Sequence, residues 1–427
     1  MKFSAFGEKF TQNSGILQLM DDLGDALRSE TPVNMLGGGN PAKIDEVNQA
    51  FARVFQDLAA NADKAVENVG NYSNPQGDAA FLNALADFFR QTYGWDISKD
   101  NIALTNGSQN AFFYLFNLFG GAFNTADGKQ DKKILLPLAP EYIGYADAHI
   151  DGKHFVSVAP KIEEVQHENQ GGFFKYRVDF EALANLPQWQ TDEIGAICCS
   201  RPTNPTGNVL TDEEMAQLDA LAQKHGVPLI VDNAYGMPFP NIIHTDAKLT
   251  WHDNMILCLS LSKIGLPGVR TGIIVANPQV IQAISSLNAI VNLAPTRFGA
   301  AIAQPLLANG ELTRLSQDVI QPFYAKQAKL AIALLKEHLA GVNFKIHKPE
   351  GAIFLWLWFP DLPITSQELY RRLKAQGTLI LPSEHFFVGL DTSNYRHAHE
   401  CIRMSIAADE ATLRAGIAKI GEVLKSL

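Results

Sequence analysis

Short apolar runs alternate along this chain with segments whose apolar residues recur at helical spacing. The runs Ile134–Leu138, Ile194–Cys199, Pro228–Val231, Met255–Leu259 and Gly272–Ala276 read as strands. A run followed by a helical pattern, repeated, is the signature of a mostly parallel sheet covered by helices. Between the second and third runs, Thr211-Asp212-Glu213-Glu214 reads as a capping box that opens a helix, and Gly226 supplies the stop. Another helix is predicted to begin near Ser108, with Phe112, Phe113, Phe116 and Phe119 on one broad face.

After about residue 300 the pattern changes. Long helical segments run to about Leu339, followed by the aromatic-rich run Ala352–Phe359 and a helix opened by Thr365-Ser366-Gln367-Glu368. A strand at Cys401–Ile406 and a closing helix from Asp409 complete the chain. The expected fold class is α/β, with a large domain over residues 45–305 built on a mostly parallel central sheet flanked by helices. Residues 1–44 and 306–427 are expected to form a smaller α+β domain, the N-terminal segment packing with the C-terminal part.

Composition narrows the function classes. Hydrophobic residues make up 46% of the 427 and charged residues 19%, the balance of a globular chain and not of a disordered one. A net charge of −10 with no basic run argues against a nucleic-acid partner. The apolar stretches are too short to cross a bilayer, and charge near Met1 breaks the apolar core that a signal peptide needs. A cytoplasmic protein without membrane contact is expected. Cys198, Cys199, Cys258 and Cys401 lack metal-ligand spacing and read as reduced core residues.

Several predicted strands end in polar residues that a core would not choose. Val231-Asp232-Asn233-Ala234-Tyr235 ends one, Ser260-Leu261-Ser262-Lys263 another, and Ser200-Arg201-Pro202-Thr203-Asn204-Pro205-Thr206-Gly207 a third. Ligands of open α/β sheets sit at such ends. Taken singly, each has a plain structural reading: a cap, a solvated lysine, a turn. Together with Gly38-Gly39-Asn40-Pro41, Asn71-Tyr72-Ser73-Asn74-Pro75-Gln76-Gly77, Thr105-Asn106-Gly107-Ser108-Gln109, Pro140-Glu141-Tyr142, Arg270 and Arg403, they form an ordered series over nearly the whole chain. In that series the chain resembles the fold-type-I, class I/II aminotransferases, which work with pyridoxal 5′-phosphate (PLP).

The resemblance implies a role for each anchor. Lys263 would hold the cofactor as a Schiff base and move the proton at the substrate Cα. Asp232 matches the partner of the pyridine nitrogen, where a carboxylate keeps that nitrogen protonated and the ring electron-accepting. Asn204 and Tyr235 match the donors to the phenolic oxygen. Gly107, Ser108 and Gln109, at a helix start, match the phosphate cradle together with Ser260, Ser262 and Arg270. Tyr142 matches the aromatic stacked on the ring. Arg403 matches the two-point grip on the substrate α-carboxylate, with Gly39 and Asn204 beside it. Tyr72 matches a tyrosine that reaches the phosphate of the other subunit, which implies a homodimer with shared active sites.

Other conspicuous residues read as structural. Trp356 and Trp358 alternate within a strand, and His397 and His399 are placed in a polar loop without metal partners. The family resemblance implies a PLP enzyme acting on an α-amino acid, with amino acids and 2-oxo acids as its small-molecule partners. A PLP lyase of the same fold would share nearly all of these side chains and stays open. A ligand-sensing module behind a DNA-binding domain is not expected, because the anchors start by Gly38. Asn288–Ala294, where relatives that use aspartate carry a second arginine, contains no basic residue, although Arg297 lies nearby. Small and branched aliphatic amino acids are therefore the expected donors, since an unpaired carboxylate in an apolar pocket is costly.

Overall fold

All five apolar runs lie side by side in one sheet. The computed structural model describes every residue except 13, 16, 18, 19, 22, 23, 25–32, 127, 151 and 153. Among the described residues the strand order is Ile102–Thr105, Gly272–Val275, Met255–Ser260, Leu229–Asp232, Ile194–Ser200, Gly128–Leu136 and Gly121–Thr125. Phe155–Ser157 pairs along Gly128–Leu136 as well. The central strands from Met255–Ser260 to Phe155–Ser157 are mutually parallel, and Gly272–Val275 runs antiparallel to both of its neighbours. Alternate residues face opposite cores: Cys199, Val231 and Leu257 join one, Cys198, Ile230 and Ile256 the other. A sheet dry on both faces accounts for runs that are apolar at every position. All four cysteines are buried and unpaired, and the adjacent pair divides between the two faces.

Helices form where their start and stop signals stand. Thr211 accepts a hydrogen bond from the Glu214 N–H while the Glu214 carboxylate accepts from the Thr211 N–H, opening Asp212–Lys224. The helix Ser108–Phe119 buries Phe112 and Phe116, while Phe113 and Phe119 stay at its half-buried margin. In the sheet, register places Ser200 opposite Asp232 and Asp232 opposite Cys258. The polar ends of three parallel strands thus reach the same edge.

A second sheet has the order Leu381–Pro382, Cys401–Ser405, Phe354–Trp358, Lys345–His347, Gln170–Arg177 and Lys161–His167. Its last two strands are a hairpin that the apolar pattern did not announce, since one of its strands, Lys161–His167, buries no residue fully. Asn34–Met35 pairs in parallel with Thr378–Leu379, and Leu36 accepts from the Ser405 N–H at 2.7 Å. Much of the N-terminal segment ahead of that pair, residues 25–32 above all, lies outside the described residues.

His397 corrects the polar-loop expectation. It sits in the short turn Arg396–His399, 6% exposed, hydrogen-bonded to the Tyr176 hydroxyl, which also accepts from the Trp356 indole N–H at 2.8 Å. Burial lowers its pKa to about 4, so it is a neutral core histidine. His399 stays half-exposed beside Glu384. The missed signal is the surrounding aromatic shell of Phe174, Trp358 and Tyr395, which is assembled from distant segments.

The hairpin is fastened by a buried ion pair. Lys175 contacts the Glu350 carboxylate, which also accepts from the Val209 N–H at 3.1 Å, and both side chains are almost fully buried. Removing one partner of such a pair leaves an uncompensated buried charge. Glu350→Ala is therefore expected to lower the unfolding free energy by about 3–5 kcal/mol. The double change Lys175→Met with Glu350→Leu should lose clearly less. Equilibrium urea unfolding checks both, and equal losses would mean that the charge pair is not the fastening.

Candidate active site

Where the polar strand ends converge, a cleft encloses about 580 Å3, part of it open to solvent. Ser108, Gln109, Tyr142, Asn204, Asp232, Tyr235, Ser260, Ser262, Lys263 and Arg270 line it. Gly107, Gly39 and Arg403 join through direct contacts with these residues. Tyr72 stands apart, 83% exposed and outside this chain's cleft.

At one end, the helix Ser108–Phe119 begins with its first N–H groups unpaired within the helix. Its cap, Gly107, has φ +86°, and a Cβ there would fall 2.2 Å from an Arg270 guanidinium nitrogen. Only glycine lets the arginine approach the helix start. Ser260 Oγ accepts from the Ser262 N–H at 3.1 Å, which fixes both serines beside that end. The Tyr142 ring lies against Gly144, whose carbonyl accepts from the Gln109 amide at 3.0 Å.

At the other end, Asp232 accepts from the Tyr145 hydroxyl at 2.7 Å and from the Ala234 N–H at 3.0 Å. Burial raises its pKa, while those two donors and the charge of Lys263 pull it back. Behind it, the buried Glu141 carboxyl group is hydrogen-bonded to both the N–H and the hydroxyl of Ser200. No role was read from the sequence for Tyr145, Ser200 or Glu141. Glu141 and Ser200 stand inside motifs named above, and their purpose appears only when the strand ends meet.

Lys263 Nζ donates to the Gly39 carbonyl at 2.7 Å. Burial lowers its pKa to about 8, aided by the charge of Arg403 and opposed by Asp232. Arg403 is 2% exposed, one guanidinium nitrogen donating to Asn204 Oδ1 at 2.8 Å and the other to the Gly37 carbonyl at 2.7 Å. Among the described residues its Nε has no partner, its carbon lies 4.0 Å over the Phe354 ring, and burial lowers its pKa to about 10. Such a cation is poised for a carboxylate. Arg297 is already engaged, with contacts to Glu67 at 3.2 Å and to Asp78 at 3.5 Å.

Residues 34–420 match the family model described as aminotransferase class I and II. The valine–pyruvate aminotransferase of Escherichia coli (strain K12) is 51% identical over 425 residues, covering 100% of this chain and 98% of that protein. A crystal structure from Psychrobacter arcticum 273-4, provisionally described as an amino-acid aminotransferase, shares 65% identity at a TM-score of 0.98, covering 100% and 99% of the two chains. The valine–pyruvate aminotransferase structure from Salmonella typhimurium LT2 shares 49% identity at a TM-score of 0.85, covering 96% and 98%. With its cleft at the strand ends and its match over nearly the full length, the chain belongs to the class I and II aminotransferases, fold-type-I enzymes that work with pyridoxal 5′-phosphate.

Proposed function

We propose that this aminotransferase exchanges the amino group between valine and pyruvate, giving 3-methyl-2-oxobutanoate and alanine in two half-reactions on one site. The observation that carries this reading is the inventory of charge in the cleft. Among the described residues, its cations are Lys263, Arg270 and Arg403. Arg270 lies by the helix start, Lys263 is the amine, and Arg403 alone is left to take a substrate carboxylate. A second carboxylate would enter without a partner, at a cost of several kcal/mol. The 51% identity to the E. coli enzyme over the whole chain supports the same substrates.

The donor set fits the cofactor. The unpaired N–H groups of the helix start, with Ser260, Ser262 and Arg270, suit a phosphate. The half-buried carboxylate of Asp232 suits a protonated ring nitrogen, and Tyr142 offers an aromatic face. Bound pyridoxal phosphate supplies an aldehyde and an electron-accepting ring. The protein's side chains do the rest in this reading. Arg403 exchanges the Gly37 and Asn204 oxygens for the substrate α-carboxylate, Asn204 and Tyr235 donate to the phenolic oxygen, and Lys263 carries the proton at Cα. A buried amine near neutrality in pKa suits a proton carrier. A lyase of the same fold would share these residues; the match to aminotransferases favours transfer.

We also propose a homodimer in which Tyr72 crosses to the neighbour's phosphate end. Its exposure supports this, as does the exposed apolar set Val66, Val69, Ile290, Val291 and Leu293.

Four measurements test the reading. Lys263→Ala is expected to abolish both the covalent attachment of the cofactor, read by borohydride fixation, and turnover. In the wild type, cofactor uptake by the apoprotein should accelerate as pH rises through about 8, where the amine sheds its proton, and level off above; a pH-independent rate would count against Lys263 as the capturing amine. With pyruvate as acceptor for valine and aspartate, and 3-methyl-2-oxobutanoate as acceptor for alanine, kcat/KM for valine and alanine should exceed that for aspartate by about a hundredfold or more. Aspartate equalling valine would overturn the single-carboxylate cleft. Finally, mixing inactive Lys263→Ala subunits with Tyr72→Ala subunits, themselves inactive alone, should restore part of the activity. No recovery in verified mixed dimers would refute the shared site.

A further inference from the structure

Among the described residues Glu141 is an acid without a cationic partner. It is 2% exposed, its backbone N–H donates to the Phe386 carbonyl, and its carboxylate contacts the Ser200 N–H and hydroxyl. The ionisable groups that act on it or feel it are Asp232, Tyr145, Cys198 and Cys199, and none of them is a cation. Ser200 Oγ lies 3.4 Å from the Tyr145 oxygen, and the Tyr145 hydroxyl reaches Asp232 at 2.7 Å. Two carboxyl groups therefore stand at the ends of one chain of hydroxyls, Glu141 buried and Asp232 at the wall of the cleft.

We propose that Glu141 is a positioning residue that keeps its own proton, so that the pair carries one negative charge and that charge resides on Asp232. This rests on the reading of Asp232 as the partner of the cofactor's ring nitrogen. When neutral, Glu141 donates to Ser200 Oγ, the Ser200 proton turns toward Tyr145, and Tyr145 donates to Asp232. Every hydroxyl then points toward the one carboxylate, and each bond polarises the next. With Glu141 ionised, the Ser200 proton turns back and two like charges face each other across the chain, which burial disfavours. Burial accordingly raises the Glu141 pKa to about 8, with the Asp232 charge adding to the rise.

The test is infrared spectroscopy of the holoenzyme grown with glutamate labelled with carbon-13 at the side-chain carboxyl. At pH 7 a carbonyl stretch of a neutral carboxylic acid should appear, shift with the label, and be missing from Glu141→Gln. Ser200→Ala, which removes the acceptor of the acid proton, should move the same band in frequency. Glu141→Gln copies the neutral acid, its carbonyl accepting from Ser200 N–H and its amide donating to Ser200 Oγ, so it should keep kcat/KM within about threefold. Absence of a neutral glutamate band at pH 7 overturns the proposal, as does a Glu141→Gln loss of about two decades, which would mark an essential charge. A protein that binds no cofactor at all would instead refute the reading of the site, a result distinguishable by its missing visible absorption.

Discussion

Burial of charge is the constraint on which the rest of this structure depends. Asp232, Lys263 and Arg403 face one cleft between two sheets, where each would be strongly disfavoured alone. The arrangement survives because every charge has a fixed dipole or an opposite charge at hand. Asp232 has the Tyr145 hydroxyl and the Ala234 N–H, Lys263 has the Gly39 carbonyl, and Arg403 has Asn204 and the Gly37 carbonyl. What remains uncompensated, such as the Arg403 Nε, points to what the site is built to receive. Catalytic preorganisation of this kind consists of dipoles already oriented before the substrate arrives.

The supporting scaffold follows from that need. A parallel sheet dry on both faces brings the ends of strands distant in sequence to one edge, so residues near 107, 200, 232 and 260 become neighbours. The second sheet supplies Arg403 from its interior strand Cys401–Ser405, and the Asn204 turn meets it from the first. That turn passes close to the other part of the chain: a Cβ on Gly207 would fall 2.6 Å from the Gly351 carbonyl. Next to Gly351, Glu350 ties Lys175 to Val209. One buried carboxylate thus anchors the hairpin beside the turn that carries Asn204.

Legibility in the sequence followed the range of the interactions. The five apolar runs, the Thr211 capping box and the strand-end polar clusters are local signals, and all of them appear where expected. The gathering of ten implied site residues around one cleft was legible through the order of motifs, not through periodicity. The hairpin Lys161–Arg177 was invisible because its outer strand is amphipathic at best and its inner strand is held by partners some 170 residues away, as in Lys175 with Glu350. His397 was misplaced for a similar reason: a polar residue between Arg396 and His399 looks solvated until Tyr176 and Trp356 enclose it. Glu141, Ser200 and Tyr145 sat in view beside assigned neighbours, yet their mutual contacts exist only in three dimensions.

The four thiols have a consequence of another kind. Cys198 and Cys258 lie in the core on one face of the large sheet and Cys199 in the core on the other, while Cys401 sits in an interior strand of the second sheet. All are buried, and burial pushes each thiol pKa upward, so a thiolate-seeking reagent finds nothing to attack while the chain is closed. Modification must wait for local opening, and cysteines on different layers wait on different openings. The molecule thus contains its own set of clocks, in which the order of labelling reads out the order in which its layers come apart.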